Sequence, residues 1–153
     1  MPKEVRYGQI RGPSIMTDEW PVAASVVFAR RGGAFVIVDA NNRLNRAGAT
    51  DTAIIGGAKV GFGTGDTFTS SATAGQTRLE VNLSHMAVYR MLADADPANV
   101  RGETCDLVIN SNRQEADIGA SAIDIIQIVA ADTDDDTVDV HLWTPNVTSR
   151  AVA

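Results

Sequence analysis

Cysteine is nearly missing from this 153-residue chain: Cys105 stands alone, so no internal disulfide can form. A single thiol suits a protein made in a reducing compartment, and it reads as a small buried residue rather than a nucleophile. Histidine is almost as scarce. His85 and His141 lie far apart, with no Cys or carboxylate at ligand spacing, which argues against a zinc site. Aromatic residues make up 5% of the chain, leaving few stacking platforms for a sugar-binding module. Long apolar runs are lacking too. Ala34–Val38 and Ile125–Ala131 fall far short of the roughly 20 residues that cross a bilayer, so no membrane partner is expected. Met1-Pro2-Lys3-Glu4-Val5-Arg6 leads into a polar segment without an apolar export signal, which predicts synthesis in the cytoplasm.

The signatures of catalysis and cofactor binding are equally thin. No Gly-x-Ser-x-Gly elbow places a nucleophile. Gly61-Phe62-Gly63-Thr64-Gly65 is followed by no Gly-Lys-Ser/Thr, so it is not a phosphate loop. A calcium loop starting at Asp132 needs glycine at its sixth position and an acid at its twelfth, where Thr137 and Trp143 stand instead. Asp132, Asp134, Asp135 and Asp136 therefore read as a solvated hairpin turn. Asn82-Leu83-Ser84 and Asn146-Val147-Thr148 match the glycosylation sequon, but without an export signal both are chance matches. No catalytic residue, cofactor or metal site is expected, and the chain reads as a non-enzyme.

What is present is a chain of ordinary globular composition, 44% hydrophobic and 21% charged, with a net charge of −6. Its length suits one domain. Charge is unevenly spread. Residues 1–50 carry seven Lys/Arg against four Asp/Glu, whereas residues 101–153 carry three against ten. An acidic body argues against nucleic acid as a direct partner, since phosphate binding needs clustered cations.

Pro2, Gly8, Gly12, Pro13 and Pro21 break up the first 22 residues and predict an extended N-terminal arm, residues 1–22, ahead of a single β domain, residues 23–153. Lys3, Arg6 and Arg11 make this arm basic. Val5, Tyr7, Ile10 and Trp20 are its candidate contacts, and Val5, Tyr7 and Ile10 suit strand addition to a neighbour's sheet. Beyond the arm, Ser25–Ala29, Ala34–Val38, Ala53–Gly61 and Cys105–Ile109 read as short strands. Asp39–Asn42 supplies a turn. Thr77–Leu83 alternates, placing Leu79, Val81 and Leu83 on one face. Ser84–Leu92 fits a strand or a short helix. Ile123–Val129 and Thr137–Leu142 form an antiparallel pair around the aspartate turn. Turn signals about ten residues apart predict an all-β fold, a small barrel or sandwich.

Gly33-Ala34-Phe35-Val36-Ile37-Val38-Asp39-Ala40-Asn41-Asn42-Arg43-Leu44, followed by Thr50-Asp51-Thr52-Ala53-Ile54-Ile55-Gly56, resembles the small capsid decoration (cement) proteins of tailed phages. The stretches Val100–Leu107, Ala120–Val129 and Asp132–Val140 are similar to the ends of phage virion proteins. Together they cover about half the chain. The resemblance implies a β-barrel or β-tulip core, a homotrimer, and a place on the outer surface of an expanded phage head. There it would bind the major capsid protein through Lys3, Val5, Arg6, Tyr7, Ile10, Arg11 and Trp20 of the arm. Another virion role, such as a head-fibre base, tail or minor coat component, fits the same patterns. A carbohydrate-binding β module and an enzyme of unrecognised type are the readings from other classes.

Overall fold

The computed structural model describes residues 7–29, 31–60 and 66–148. Lys3, Val5, Arg6 and the glycine-rich residues 61–65 lie outside them. The first strands are β1 (Gly8–Arg11), β2 (Trp20–Pro21), β3 (Val27–Ala29), β4 (Phe35–Val38) and β5 (Leu44–Arg46). They are followed by β6 (Gly56–Ala58), β7 (Thr67–Thr69), β8 (Arg78–Leu79) and β9 (Val81–Asn82). The longer strands come last: β10 (Val88–Leu92), β11 (Thr104–Asn110), β12 (Arg113–Asp117), β13 (Ile126–Asp132) and β14 (Thr137–Leu142). No α-helix occurs among the described residues; a 3-10 turn at Thr144–Asn146 is the nearest to one. The chain is all-β.

Pairing is antiparallel throughout the ladders. Six strands form one sheet in the order β1-β10-β14-β13-β11-β12, and four form another in the order β5-β4-β6-β9. Two short pairs, β2-β8 and β3-β7, complete the set. All these sheets are open, and no barrel closes among the described residues.

β4 shows how they stack. Its run Phe-Val-Ile-Val is apolar at every position, as expected of a strand covered on both faces. Phe35 and Ile37 pack into one core with Tyr89, Met91, Leu107, Ile126, Ile128, Val138 and Val140 of the six-stranded sheet. Val36 and Val38 point the other way, into a second core with Val22, Phe28, Leu44, Leu79 and Val81. The four-stranded sheet is thus a middle layer, with the short strand pairs on its far side. Cys105 lies in the first core, 3% exposed, and burial pushes its thiol up to about 12, so it carries no accessible thiolate.

Turn chemistry follows the sequence. Asp39 Oδ1 accepts from the N–H groups of Asn41 and Arg43 at 2.9 and 3.0 Å, and Asn42 takes a φ of 59°. Ser111 and Asn112 both have positive φ, 49° and 65°, the geometry of a tight β11–β12 hairpin. The aspartate turn closes on Asp132, whose Oδ1 accepts from Asp134 N–H at 2.9 Å.

Thr77–Leu83 departs from one continuous strand. It splits at Glu80, so that β8 pairs with β2 and β9 with β6. Leu79 and Val81 are buried, but Leu83 falls beyond the strand end and emerges 38% exposed. Ser84–Leu92 resolves as a turn and then a strand rather than a helix.

Two sheet edges are partly covered by the chain itself. Gly33 N–H donates to Gln114 O at 2.7 Å and Asp94 N–H to Ala116 O at 3.0 Å, along the outer side of β12. Thr17 N–H donates to Val81 O at 2.9 Å beside β9. These contacts cover part of the outer sides of β12 and β9 against pairing with another chain.

Candidate functional site

Residues 8–22, expected as an arm, lie against the body. β1 pairs with β10 in the register Gly8↔Arg90 and Gln9↔Tyr89, and β2 pairs Trp20↔Leu79. The strand addition foreseen for a neighbour's sheet therefore takes place within this chain for residues 8–11. Tyr7 and Ile10 are half-buried, and Trp20 is half-buried against the second core. Arg11 is exposed, with its guanidinium 3.9 Å from Asp139. That buried carboxylate is already held by Arg90, its cross-strand partner, through Nε at 2.8 Å and Nη2 at 3.0 Å. Asp139 raises the Arg90 pKa through this contact, and the guanidinium is a fixed cation.

Among the described residues, the large apolar side chains that do face solvent are others: Ile15 (60% exposed), Met16 (41%), Leu83 (38%) and Met86 (75%). They come from two segments, 12–16 and 82–87, which three contacts join into one surface. Leu83 N–H donates to Ile15 O at 2.8 Å. Gly12, with a φ of 95°, sits where a Cβ would stand 2.9 Å from Met86 O and Ala87 Cα, so only glycine allows this approach. The third is the side chain of Asn82, buried at the end of β9. Its Oδ1 accepts from Ile15 N–H at 2.9 Å and Ser84 N–H at 3.0 Å. Its Nδ2 donates to Gln9 Oε1 at 2.9 Å and Pro13 O at 3.2 Å.

Asn82 explains the local fold. It ends β9, starts the turn that lifts Met86 into solvent, and anchors the proline-broken segment that carries Ile15 and Met16. With its amide enclosed and bonded, it is no glycosylation acceptor in the folded chain. Missing from the sequence reading was any sign that Leu83 and Met86 share a surface with Ile15. The available signal was an Asn-Leu-Ser-His-Met stretch in which an alternating strand gives way to small polar residues.

Beside this surface lies a cleft of about 420 Å³ between the two larger sheets. Tyr7 to Gln9 and Gly57 to Val60 line it, together with Ser14, Met16 and Asn82. Tyr89 lines it, 8% exposed, its ring edge-on to Phe35 at 5.0 Å. Burial pushes its phenol up to about 12, opposed by the nearby Gly57 backbone and Asn82 side chain. Neither meets hydrogen-bond geometry at the hydroxyl, which is buried without a partner.

Asp106 and His141 are held within the fold. Asp106 accepts from the N–H groups of Ala122, Ile123 and Asp124 at 2.7–3.0 Å. His141 Nε2 lies 2.9 Å from Gln127 Oε1. Among the described residues no group of three or more His, Cys, Asp or Glu side chains is placed to hold a metal ion. Comparison with known proteins finds no matching family model, and no match among the curated proteins or the solved structures.

Proposed function

We propose that this chain is a structural virion protein: a decoration, or cement, subunit that binds the major capsid protein on the outside of a phage head and has no catalytic role. The observation that carries the reading is that Ile15, Met16, Leu83 and Met86, all exposed, stand on two segments held together by hydrogen bonds. Surface apolar residues normally occur singly, and contiguous groups mark contact sites. This one is fixed by backbone pairing and by the Asn82 side chain, so little conformational entropy is lost when a partner covers it. The open, layered sheets suit a tulip-like or sandwich variant of the decoration fold rather than a closed barrel.

In this reading the protein acts as a homotrimer at three-fold and quasi-three-fold positions, clamping neighbouring capsomers. Many copies with modest contacts then add up to a large resistance against internal pressure. In this proposal Lys3, Val5, Arg6, Tyr7, Ile10, Arg11 and Trp20 also serve as capsid contacts. The test is to mix purified protein with expanded, undecorated capsids and count bound copies after sedimentation. Saturation at three copies per three-fold position supports the proposal. A folded protein that leaves the capsids bare refutes it and favours a tail or fibre role.

A further inference from the structure

Arg46, on β5, carries a guanidinium that the fold uses at one nitrogen only. Its Nη1 donates to Val27 O and to Asn112 O, both at 2.7 Å. A guanidinium has five donors in a planar fork. These two bonds occupy Nη1 and leave the Nε and Nη2 edge, which can hold a carboxylate through two parallel bonds. Among the described residues that edge has no partner, and neither nitrogen is sealed from solvent. Arg90 and Arg113, by contrast, face Asp139 and Glu115. Burial lowers the Arg46 pKa, and no carboxylate opposes the shift.

Arg46 lines a pocket of about 260 Å³ together with Ala24, Ser25, Asn45 and Asn112. Among the described residues of that lining it alone is charged, and its neighbours are neutral amides, a hydroxyl and small apolar groups. One planar cation matches the single charge of a carboxylate better than the double charge of a phosphate. The volume falls below the roughly 300–1,000 Å³ typical of small-ligand sites and suits the tip of one side chain. Ser25 and Asn112 take positive φ, 54° and 65°, in turns that fix the lining before anything binds.

The place of the pocket in the fold selects the partner. β5 and β9 are opposite edges of the four-stranded sheet, three strand spacings or roughly 14 Å apart. The surface of Ile15, Met16, Leu83 and Met86 is built at the β9 edge, so a capsid docked there leaves the β5 edge to another body. A second copy of this chain offers the matching group. Asp134 and Asp136 are exposed in the turn joining β13 to β14. We propose that the pocket receives a carboxylate from the aspartate turn of a second copy, held by Nε and Nη2 of Arg46. Pocket and turn are different patches, so the contact runs head-to-tail and closes into the ring that a homotrimer requires. The choice of a second copy rests on the decoration reading, whereas the preference for a carboxylate does not.

Ala24→Glu tests this without disturbing Arg46 or either core, because Ala24 is exposed on the pocket lining. The new carboxylate competes for the guanidinium from within the chain. In equilibrium sedimentation the native protein should associate, and Ala24→Glu should raise the dissociation constant at least tenfold, the worth of a charge-assisted pair. Ala24→Gln, equally long but uncharged, should weaken association less. Asp134→Asn combined with Asp136→Asn should weaken it as Ala24→Glu does, with the melting temperature held in every variant. A native protein that stays monomeric overturns the inference, as does association that Ala24→Glu or the double asparagine variant leaves unchanged. Equal losses from Ala24→Glu and Ala24→Gln overturn it too, since bulk alone then accounts for the effect. Capsid sedimentation of the same samples keeps the two readings apart: native oligomers that leave capsids bare sink the decoration reading and not the pocket.

Discussion

Gln114 brackets Phe35: its Oε1 accepts from the Phe35 N–H at 3.0 Å and its Nε2 donates to the Phe35 carbonyl at 3.0 Å. The same Nε2 donates to Ala47 O at 2.9 Å, and the residue is fully buried. One amide thus ties β12 of the six-stranded sheet to β4 of the middle layer. Replacing it with Leu keeps much of the volume but removes the side-chain partner of the Phe35 N–H and the Ala47 carbonyl, each worth about 1–3 kcal/mol if left unmet, while the Phe35 carbonyl still accepts from Ala47 N–H. Gln114→Leu should therefore lower stability by roughly 2–4 kcal/mol in urea unfolding, although it adds an apolar side chain to the core. A variant as stable as the native protein would show that the layers do not depend on this bridge.

Asp117 provides a pH dependence. Burial, then a hydrogen bond with Asp94, holds its carboxyl above the ordinary value of 3.8. A carboxyl raised in the fold binds its proton more tightly there than in the unfolded chain. Its stabilising contribution is complete below pH 3.8 and is lost as pH rises through the folded value. Asp117→Asn should accordingly raise the unfolding midpoint near pH 7 and bring no comparable gain at about pH 3. Equal shifts at both values would contradict the linkage.

Asn82 makes a separate prediction for the segment it anchors. Asn82→Ala removes acceptors from Ile15 N–H and Ser84 N–H and a donor from Gln9. The expected cost is roughly 2–4 kcal/mol, concentrated locally. Limited proteolysis should then cut first between residues 11 and 19, before the core opens. Cleavage no faster than in the native protein would mean that the β1–β10 ladder alone holds the segment.

Much of the strand layout was legible because it rests on local periodicity and turn chemistry. Ala34–Val38, Cys105–Ile109 and Thr137–Leu142 fall on β4, β11 and β14, and the aspartate turn joins β13 to β14. Asp39–Asn42 turns as its side chains dictate. What stayed hidden depends on contacts between residues distant in sequence. Nothing local marks Gln114 as buried, because its partners Phe35 and Ala47 lie 79 and 67 residues away. Leu83 read as the third member of an alternating face, yet Asn82 ends the strand to bind Ile15, and the alternation stops with it. The proline- and glycine-broken start read as a separate extended piece. Its extension was legible, but not the seat of residues 8–22 on β10, β8 and β9, which rests on cross-chain pairing and one buried amide. The apolar surface follows from both misses, since its halves meet only through those contacts.

The central claim is that the Ile15, Met16, Leu83 and Met86 surface binds the phage head. Leu83→Lys combined with Met86→Lys places two charges there without touching either core. Burying such side chains is worth about 1.5–3 kcal/mol each, so capsid affinity in a sedimentation titration should drop at least tenfold while the melting temperature holds. Native-like occupancy by the double variant would contradict the account, because the surface would then face solvent in the bound state as well.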